Sequence, residues 1–161
     1  MRIANSPLPT LIATACLALS APHFLLAADK PKFETESLRG KVVFLAEVLE
    51  EKHDIKSVPE AHDRTLALET PEGKLIPLVE DTRGRAFRVD KRLREMPVEL
   101  LVRRYAGVPA VQIIRIHEVT KEGLFEVDYW CDICSIAMYE LKQCDCCQGP
   151  IELRRRKVNG K

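Results

Sequence analysis

Short hydrophobic stretches separated by turn residues follow one another along most of the chain after residue 40, a pattern typical of β-strands. The first stretch, 41–49, is almost continuously apolar and predicts a largely buried strand. The next two, 65–70 and 74–79, flank Pro71-Glu72-Gly73. That segment predicts a hairpin, because proline fixes φ and glycine accepts a positive φ.

A basic connector at 83–94 separates these stretches from a second group of predicted strands. Within it, Asp90 to Met96 predicts a short helix, with Asp90 as its N-cap and Pro97 as its end. Three further apolar or alternating stretches predict strands: 98–105, 111–119 and 124–130.

The order of the predicted elements favours a mainly β protein. Three strands, a short helix and two more strands resemble the OB-fold, a five-stranded Greek-key barrel, over Lys41 to Val119. Residues 29–37 are polar and predict a loose arm before it. We therefore expect a small OB-like barrel at 38–127, a cysteine-rich hairpin at 128–153 and a basic tail at 154–161. The barrel core is predicted at these apolar positions: Val42, Phe44, Leu66, Leu68, Leu100, Val102, Ile113, Ile114, Phe125 and Val127.

Residues 1–28 predict a secretory signal peptide. Arg2 is the only charged residue among them, an apolar run follows it, and small residues precede the switch to polar sequence. Cleavage is expected near Ala27 or Ala28, which leaves no membrane anchor. We therefore expect an exported protein, periplasmic or secreted. A large aliphatic residue usually stands three positions before an acylated cysteine, but Ala13 stands there before Cys16. A lipoprotein is therefore not favoured.

The net charge of the chain and its aromatic content bear on which partners it could bind. The chain has 25 Lys and Arg against 24 Asp and Glu, and removal of the leader makes the two numbers equal. Aromatic residues make up only 6%, and both features argue against nucleic acid as a partner. An anion- or nucleic-acid-binding barrel that uses the connector at 83–94 stays as an alternative. The partner itself is open, with another exported protein as one candidate.

Five of the six cysteines lie between Cys131 and Cys147. Cys131 and Cys134 form one C-x-x-C pair, and Cys144 and Cys147 form another. Two residues between ligands let a tight turn aim both thiolates at one ion. The two pairs therefore predict a tetrahedral zinc site, with Cys146 as a spare or alternative ligand. An iron–sulfur or Cu(I) site would use the same soft ligands and stays open.

This spacing resembles a zinc-ribbon site, with departures. The connection between the pairs is shorter than in common ribbons, and Ser135 and Gln148 stand where such turns carry glycine. The motifs Tyr-Trp-Cys-x-x-Cys and Cys-x-Cys-Cys, which begin at Tyr129 and Cys144, also resemble the ends of uncharacterised exported bacterial proteins with an OB-fold-like barrel. That resemblance implies no particular activity.

Two other chemistries fit the same cysteines. A disulfide framework is usual in exported proteins, but an odd count and the adjacent Cys146 and Cys147 fit it poorly, because neighbouring side chains point to opposite faces of a strand. A periplasmic thiol–disulfide oxidoreductase would use Cys131 and Cys134 at the start of a helix, and 135–141 has the propensity to form one. We expect a non-enzymatic binding or structural module with a thiolate metal site, with the oxidoreductase as the enzyme alternative.

Overall fold

The structure, a computed structural model, describes residues 31–158 and confirms the predicted mainly β fold class. Its strands are β1 (Phe33–Phe44), β2 (Leu66–Glu69), β3 (Leu75–Pro77), β4 (Val98–Tyr105), β5 (Val111–Thr120), β6 (Gly123–Cys131), β7 (Ile136–Met138) and β8 (Glu152–Lys157). Its helices are α1 (Leu45–His53), α2 (Thr82–Val89) and α3 (Lys91–Glu95), with a short 3-10 turn at Pro59–Ala61. The predicted signal peptide at 1–28, with Cys16, lies outside the described residues.

Strands β1 to β5 have the connectivity of the expected OB-like barrel. The long strand β1 pairs with β4 along its first part and with β2 along its last four residues. The hairpin β2–β3 and the pair β4–β5 continue the path on either side. The path closes where Leu78 and Val111 form a parallel bridge, and the N–H of Val79 donates to the carbonyl of Val111 at 2.9 Å. Helices α2 and α3 lie between β3 and β4 in the chain, as in the OB-fold.

One glycine lets β1 serve both halves of this barrel. Gly40 pairs with Val98 of β4, and the next residue, Lys41, pairs with Glu69 of β2. A Cβ atom on Gly40 would lie 2.2 Å from the carbonyl oxygen of Glu69. Only glycine therefore allows the two backbones to approach this closely at the change of partner.

The first strand and the residues after it differ from the prediction. β1 begins at Phe33, so most of the expected loose arm at 29–37 is a strand paired with β4. The apolar run 41–49 leaves the strand at Phe44 and continues as helix α1. Leu45–His53 is rich in alanine, leucine, glutamate and lysine, which are strong helix formers. An apolar run does not by itself distinguish a strand from a buried helix.

The connector also contains more helix than expected. The predicted short helix is confirmed as α3, where the carboxylate of Asp90 accepts a hydrogen bond from the N–H of Arg92. A second helix, α2, precedes it, so the expectation of one short helix was wrong. Asp81 caps α2 by accepting hydrogen bonds from the N–H groups of Arg83 and Gly84, and this cap supplies the helix start that the sequence analysis overlooked.

A bulge in β5 changes which of its residues face the core. Leu101 of β4 pairs with Arg115, but the next residue, Val102, pairs with Ile113, so Ile114 is the extra residue. Ile114, predicted in the core, is therefore only half-buried. Phe125, close to the turn into β6, is also half-buried. The other predicted core residues are buried: Val42, Phe44, Leu66, Leu68, Leu100, Val102, Ile113 and Val127.

Three strands extend the sheet beyond the barrel. One edge of β6 pairs with β5 and then with β7, and its other edge pairs with β8. Residues 154–157, expected in a basic tail, lie in β8. There, carboxylates of β6 bind Arg154 and Arg156, and Glu118 of β5 binds Arg155. Arg154 donates two hydrogen bonds to the buried Asp128, at 2.8 and 2.7 Å, and its guanidinium lies over the ring of Trp130. No helix among residues 31–158 is long and apolar enough to span a membrane.

Candidate metal centre

The cysteine segment contains the same backbone turn twice. In the first turn, the N–H of Ser135 donates to the carbonyl of Cys131 at 2.8 Å. In the second, the N–H of Gln148 donates to the carbonyl of Cys144 at 2.9 Å. Ser135 and Gln148 both adopt left-handed backbone conformations, with φ of 53° and 59°. Each turn therefore presents two cysteines in the same way and ends on a left-handed residue.

The left-handed conformation accounts for the glycine that such turns commonly carry. A residue with a side chain costs about 1–2 kcal/mol more than glycine there, because its Cβ approaches the following carbonyl oxygen. Ser135 and Gln148 nevertheless adopt it in the two turns. The turns therefore keep their geometry although they lack the glycines of the zinc-ribbon pattern.

The two turns bring four sulfur atoms together. The Sγ atoms of Cys131, Cys134, Cys144 and Cys147 all lie within 4.8 Å of one another, and those of Cys131 and Cys147 are 3.6 Å apart. In a tetrahedral zinc site with Zn–S bonds of about 2.3 Å, the sulfur atoms are about 3.8 Å apart. The four predicted ligands therefore form a cluster that could hold one metal ion.

One side of the cluster is part of the protein core. Cys131, at the end of β6, and Cys144 are buried and belong to the same hydrophobic cluster as Met138 and Ile151. Cys134 is half-buried. This surrounding apolar shell excludes water from one side of the sulfur atoms, as suits a closed structural site.

Gly149 is a residue of the centre that the sequence analysis missed. Its N–H donates to the Sγ of Cys147 at 3.4 Å, and its carbonyl accepts from the N–H of Cys144 at 3.0 Å. A Cβ on Gly149 would lie 2.9 Å from Cδ1 of Ile133 in the first turn. A glycine two residues after the second C-x-x-C pair was the available signal, and it allows the two turns to contact each other.

The thiols of the cluster differ in acidity. The backbone N–H groups of Cys147 and Cys146 lower the pKa of Cys144 to about 7. The thiols of Cys146 and Cys147 raise the pKa of Cys134. The N–H of Cys134 lowers the pKa of Cys131, but burial and the neighbouring thiols outweigh it, so the pKa of Cys131 is raised. Cys144 therefore loses its proton more readily than Cys131 or Cys134, and a cation is needed to hold all four sulfurs as thiolates.

Cys146 lies next to the cluster without joining it. It is exposed and does not belong to the group of four sulfur atoms, although its thiol is close enough to Cys134 to affect that pKa. Its neighbour Cys147 belongs to the group instead. Cys146 therefore lies outside the group of four sulfur atoms, and its role as a spare or alternative ligand stays a prediction.

The surroundings of Cys131 and Cys134 differ from those of a thioredoxin-like dithiol. After Cys134 the chain turns at Ser135 and enters β7. The oxidoreductase alternative, in contrast, needs a helix over 135–141. Residues 135–141 therefore supply no helix N-terminus that would lower the pKa of either thiol, and the pKa values of both are raised.

The basic connector is mostly neutralised by carboxylates. Arg85 binds the buried Glu140, Arg88 binds Glu80, and Arg92 binds the buried Asp90. These ion pairs reduce the positive charge that a nucleic-acid-binding surface at 83–94 would present.

Comparisons of the chain with protein-family models, with curated proteins and with solved structures give no significant match. The functional assignment therefore depends on the geometry of the cysteine cluster.

Proposed function

We propose that the protein is a non-enzymatic binding or structural module whose C-terminal segment holds one zinc ion through Cys131, Cys134, Cys144 and Cys147. The observation that carries this proposal is the repeated turn, which gathers four Sγ atoms within 4.8 Å of one another. Thiolates in tetrahedral arrangement favour zinc, and iron–sulfur and Cu(I) are the other occupants that use this ligand type.

The ion would stabilise a part of the chain with little regular structure of its own. Between β7 and β8, residues 139–151 contain neither helix nor strand. Cys131 and Cys134 follow β6, whereas Cys144 and Cys147 belong to this irregular segment, so a shared ion cross-links the two. Structural zinc contributes its binding energy directly to folding. We expect metal removal to loosen 131–151 and to leave the strand pairings of the barrel in place.

Matched cysteine variants test the ligand set. Metal content per chain is measured by atomic spectroscopy on purified wild type, Cys144→Ser and Cys146→Ser. We expect one ion per chain in wild type and in Cys146→Ser, and loss of the ion in Cys144→Ser, which removes a buried ligand. If Cys146→Ser loses the ion while Cys147→Ser retains it, the second pair of ligands is wrong. A metal-free protein whose mass shows two disulfides would contradict the proposal and support the disulfide framework.

We also propose that the protein acts outside the cytoplasm, in the periplasm or as a secreted protein, where another exported protein is the candidate partner. The support is the leader pattern at 1–28 and the resemblance of the cysteine motifs to exported bacterial proteins. N-terminal sequencing of the mature protein should begin close to Asp29. A cytoplasmic chain that still begins at Met1 would contradict export.

A further inference from the structure

A cavity lies where two neighbouring strands of the sheet separate. β5 and β6 pair from Thr120–Gly123 only as far as His117–Glu126. Beyond that pair β5 continues beside β4, while β6 continues beside β8 and meets β7 at Tyr129. The separated strands, with α2, α3 and the segment after β7, enclose a cavity of about 200 Å³.

The cavity is lined by apolar, positively charged and negatively charged side chains. Leu93, Ile116 and Val127 supply aliphatic surface, and the guanidinium groups of Arg83 and Arg115 supply positive charge. The guanidinium carbon of Arg83 lies 3.7 Å from the centre of the Tyr139 ring. The Arg83 side chain donates no hydrogen bond to any of residues 31–158, so its N–H groups stay available to a ligand.

Arg83 differs from the other arginines of its helix. Arg85 and Arg88 bind Glu140 and Glu80, but no carboxylate of residues 31–158 forms an ion pair with Arg83. Arg115 contacts Glu126 at 3.5 Å. Of the two arginines that line the cavity, Arg83 is therefore the one without a carboxylate partner among residues 31–158.

The acids beside the cavity are already engaged from the other edge of β6. Arg156 binds both Glu126, at 3.0 Å, and Asp128, at 3.1 Å. Arg154 binds Asp128 at 2.7 Å. Glu126 and Asp128 also line the cavity, but Arg154 and Arg156 neutralise their carboxylates, so the positive charges of Arg83 and Arg115 are not fully cancelled there.

We propose that this cavity binds a small organic carboxylate with an aromatic or branched aliphatic body. The carboxylate would accept hydrogen bonds from Arg83 and Arg115, and the body would contact Ile116 and Val127. Guanidinium and carboxylate groups match each other in a bidentate arrangement. A cavity of roughly 150 Å³ accepts benzene, so the volume here suits a ring that carries one carboxylate.

Calorimetric titration of the purified full chain with sodium benzoate tests the proposal, with benzamide as the uncharged analogue. We expect benzoate to bind and benzamide to bind at least about tenfold more weakly, since a charged hydrogen bond is lost. Arg83→Gln should weaken benzoate binding at least about tenfold. The matched control is Lys91→Gln, which removes one positive charge from the adjacent helix at a side chain that is 78% exposed, and it should bind benzoate like wild type.

Several results would overturn the proposal. They are the absence of benzoate binding to folded wild type, equal affinities for benzoate and benzamide, and a folded Arg83→Gln variant that binds benzoate as wild type does. If inorganic phosphate binds as tightly as benzoate, the cavity recognises negative charge alone. That result would contradict a site for organic carboxylates. Arg83→Lys keeps the charge without the planar fork, and we expect it to bind benzoate with intermediate affinity. Metal content is measured on the same samples, so failure of the zinc proposal is recognised separately.

Discussion

At the scale of single residues, the shape of the barrel depends on the absence of one side chain. We expect Gly40→Ala to destabilise the protein by about 3 kcal/mol, because the new methyl group meets a backbone carbonyl that cannot move without breaking the β1–β2 pairing. Urea unfolding measures the change. The control is Gly73→Ala, where φ is +80° but no atom lies within 4 Å, so only the conformational cost of about 1–2 kcal/mol applies. Equal effects of the two substitutions would show that Gly40 is not needed for close approach.

A buried carboxylate is the second residue on which the fold depends. Asp90 caps α3 and accepts a hydrogen bond from the hydroxyl of Tyr129 on β6 at 2.8 Å. Burial raises the pKa of Asp90, but hydrogen bonds from Arg92 and Tyr129 outweigh it, so the pKa lies below its ordinary value of 3.8. Ionised Asp90 therefore stabilises the folded state above pH 3.8, and this contribution is lost as the pH falls through the lower pKa of the folded protein.

The pH dependence can be tested with Tyr129→Phe. At neutral pH we expect the variant to lose about 1.5–3 kcal/mol of unfolding free energy, the range for a hydrogen bond to a charged group. The difference from wild type should shrink as the pH falls below 3.8, because protonation of Asp90 weakens the same bond. Urea unfolding of both proteins across this range measures the difference. A difference that stays constant with pH would contradict the role of the charged carboxylate.

At the scale of the elements, the two cysteine turns carry an avoidable conformational cost. We expect Ser135→Gly to stabilise the metal-bound protein by about 1 kcal/mol, because glycine adopts the left-handed conformation without strain. Thermal unfolding and competition for zinc with a chelator measure the gain. Asp132→Gly, in the same turn but at a residue without positive φ, is the control and should give no gain. A less stable Ser135→Gly protein would show that the turn is held differently in the metal-bound state.

The elements also show which parts of the fold were accessible from sequence. Pro71-Glu72-Gly73 and the Asp90 cap are local signals, and both marked real element boundaries. The change from strand to helix at Leu45 was missed because the apolar run continues across it. The bulge at Ile114 has no local mark either, since it appears only in the pairing with β4.

The candidate metal site and the cavity also contain features that the sequence predicted and features that it did not. The grouping of the four cysteines followed from spacing, because each C-x-x-C pair brings its own two cysteines together within a single turn. The left-handed Ser135 was not predicted, since serine does not signal that conformation as glycine does. The cavity beside Arg83 could not be predicted from the sequence either. It results from the separation of β5 and β6, which pair only next to the turn that joins them.

At the scale of the whole molecule, the cysteine segment and the barrel belong to one compact unit. Arg85 of α2 donates to the buried Glu140 at 2.6 Å, and Arg83 stacks on Tyr139, so one helix holds the segment after β7. Cys131 ends a strand whose residues Val127 and Tyr129 lie in the barrel core. A metal ion at the four thiolates would therefore stabilise the end of the sheet that encloses the cavity.

The proposal that four cysteine thiolates hold one zinc ion can be tested by spectroscopy of the metal itself. X-ray absorption at the zinc edge of the purified protein tests this proposal, because it reports both the presence of the ion and the atoms bound to it. We predict four sulfur neighbours at about 2.3 Å and no nitrogen or oxygen in the first coordination shell. Protein that contains no metal and has its cysteines in disulfides, or an ion bound by fewer than four sulfur atoms, would contradict the claim.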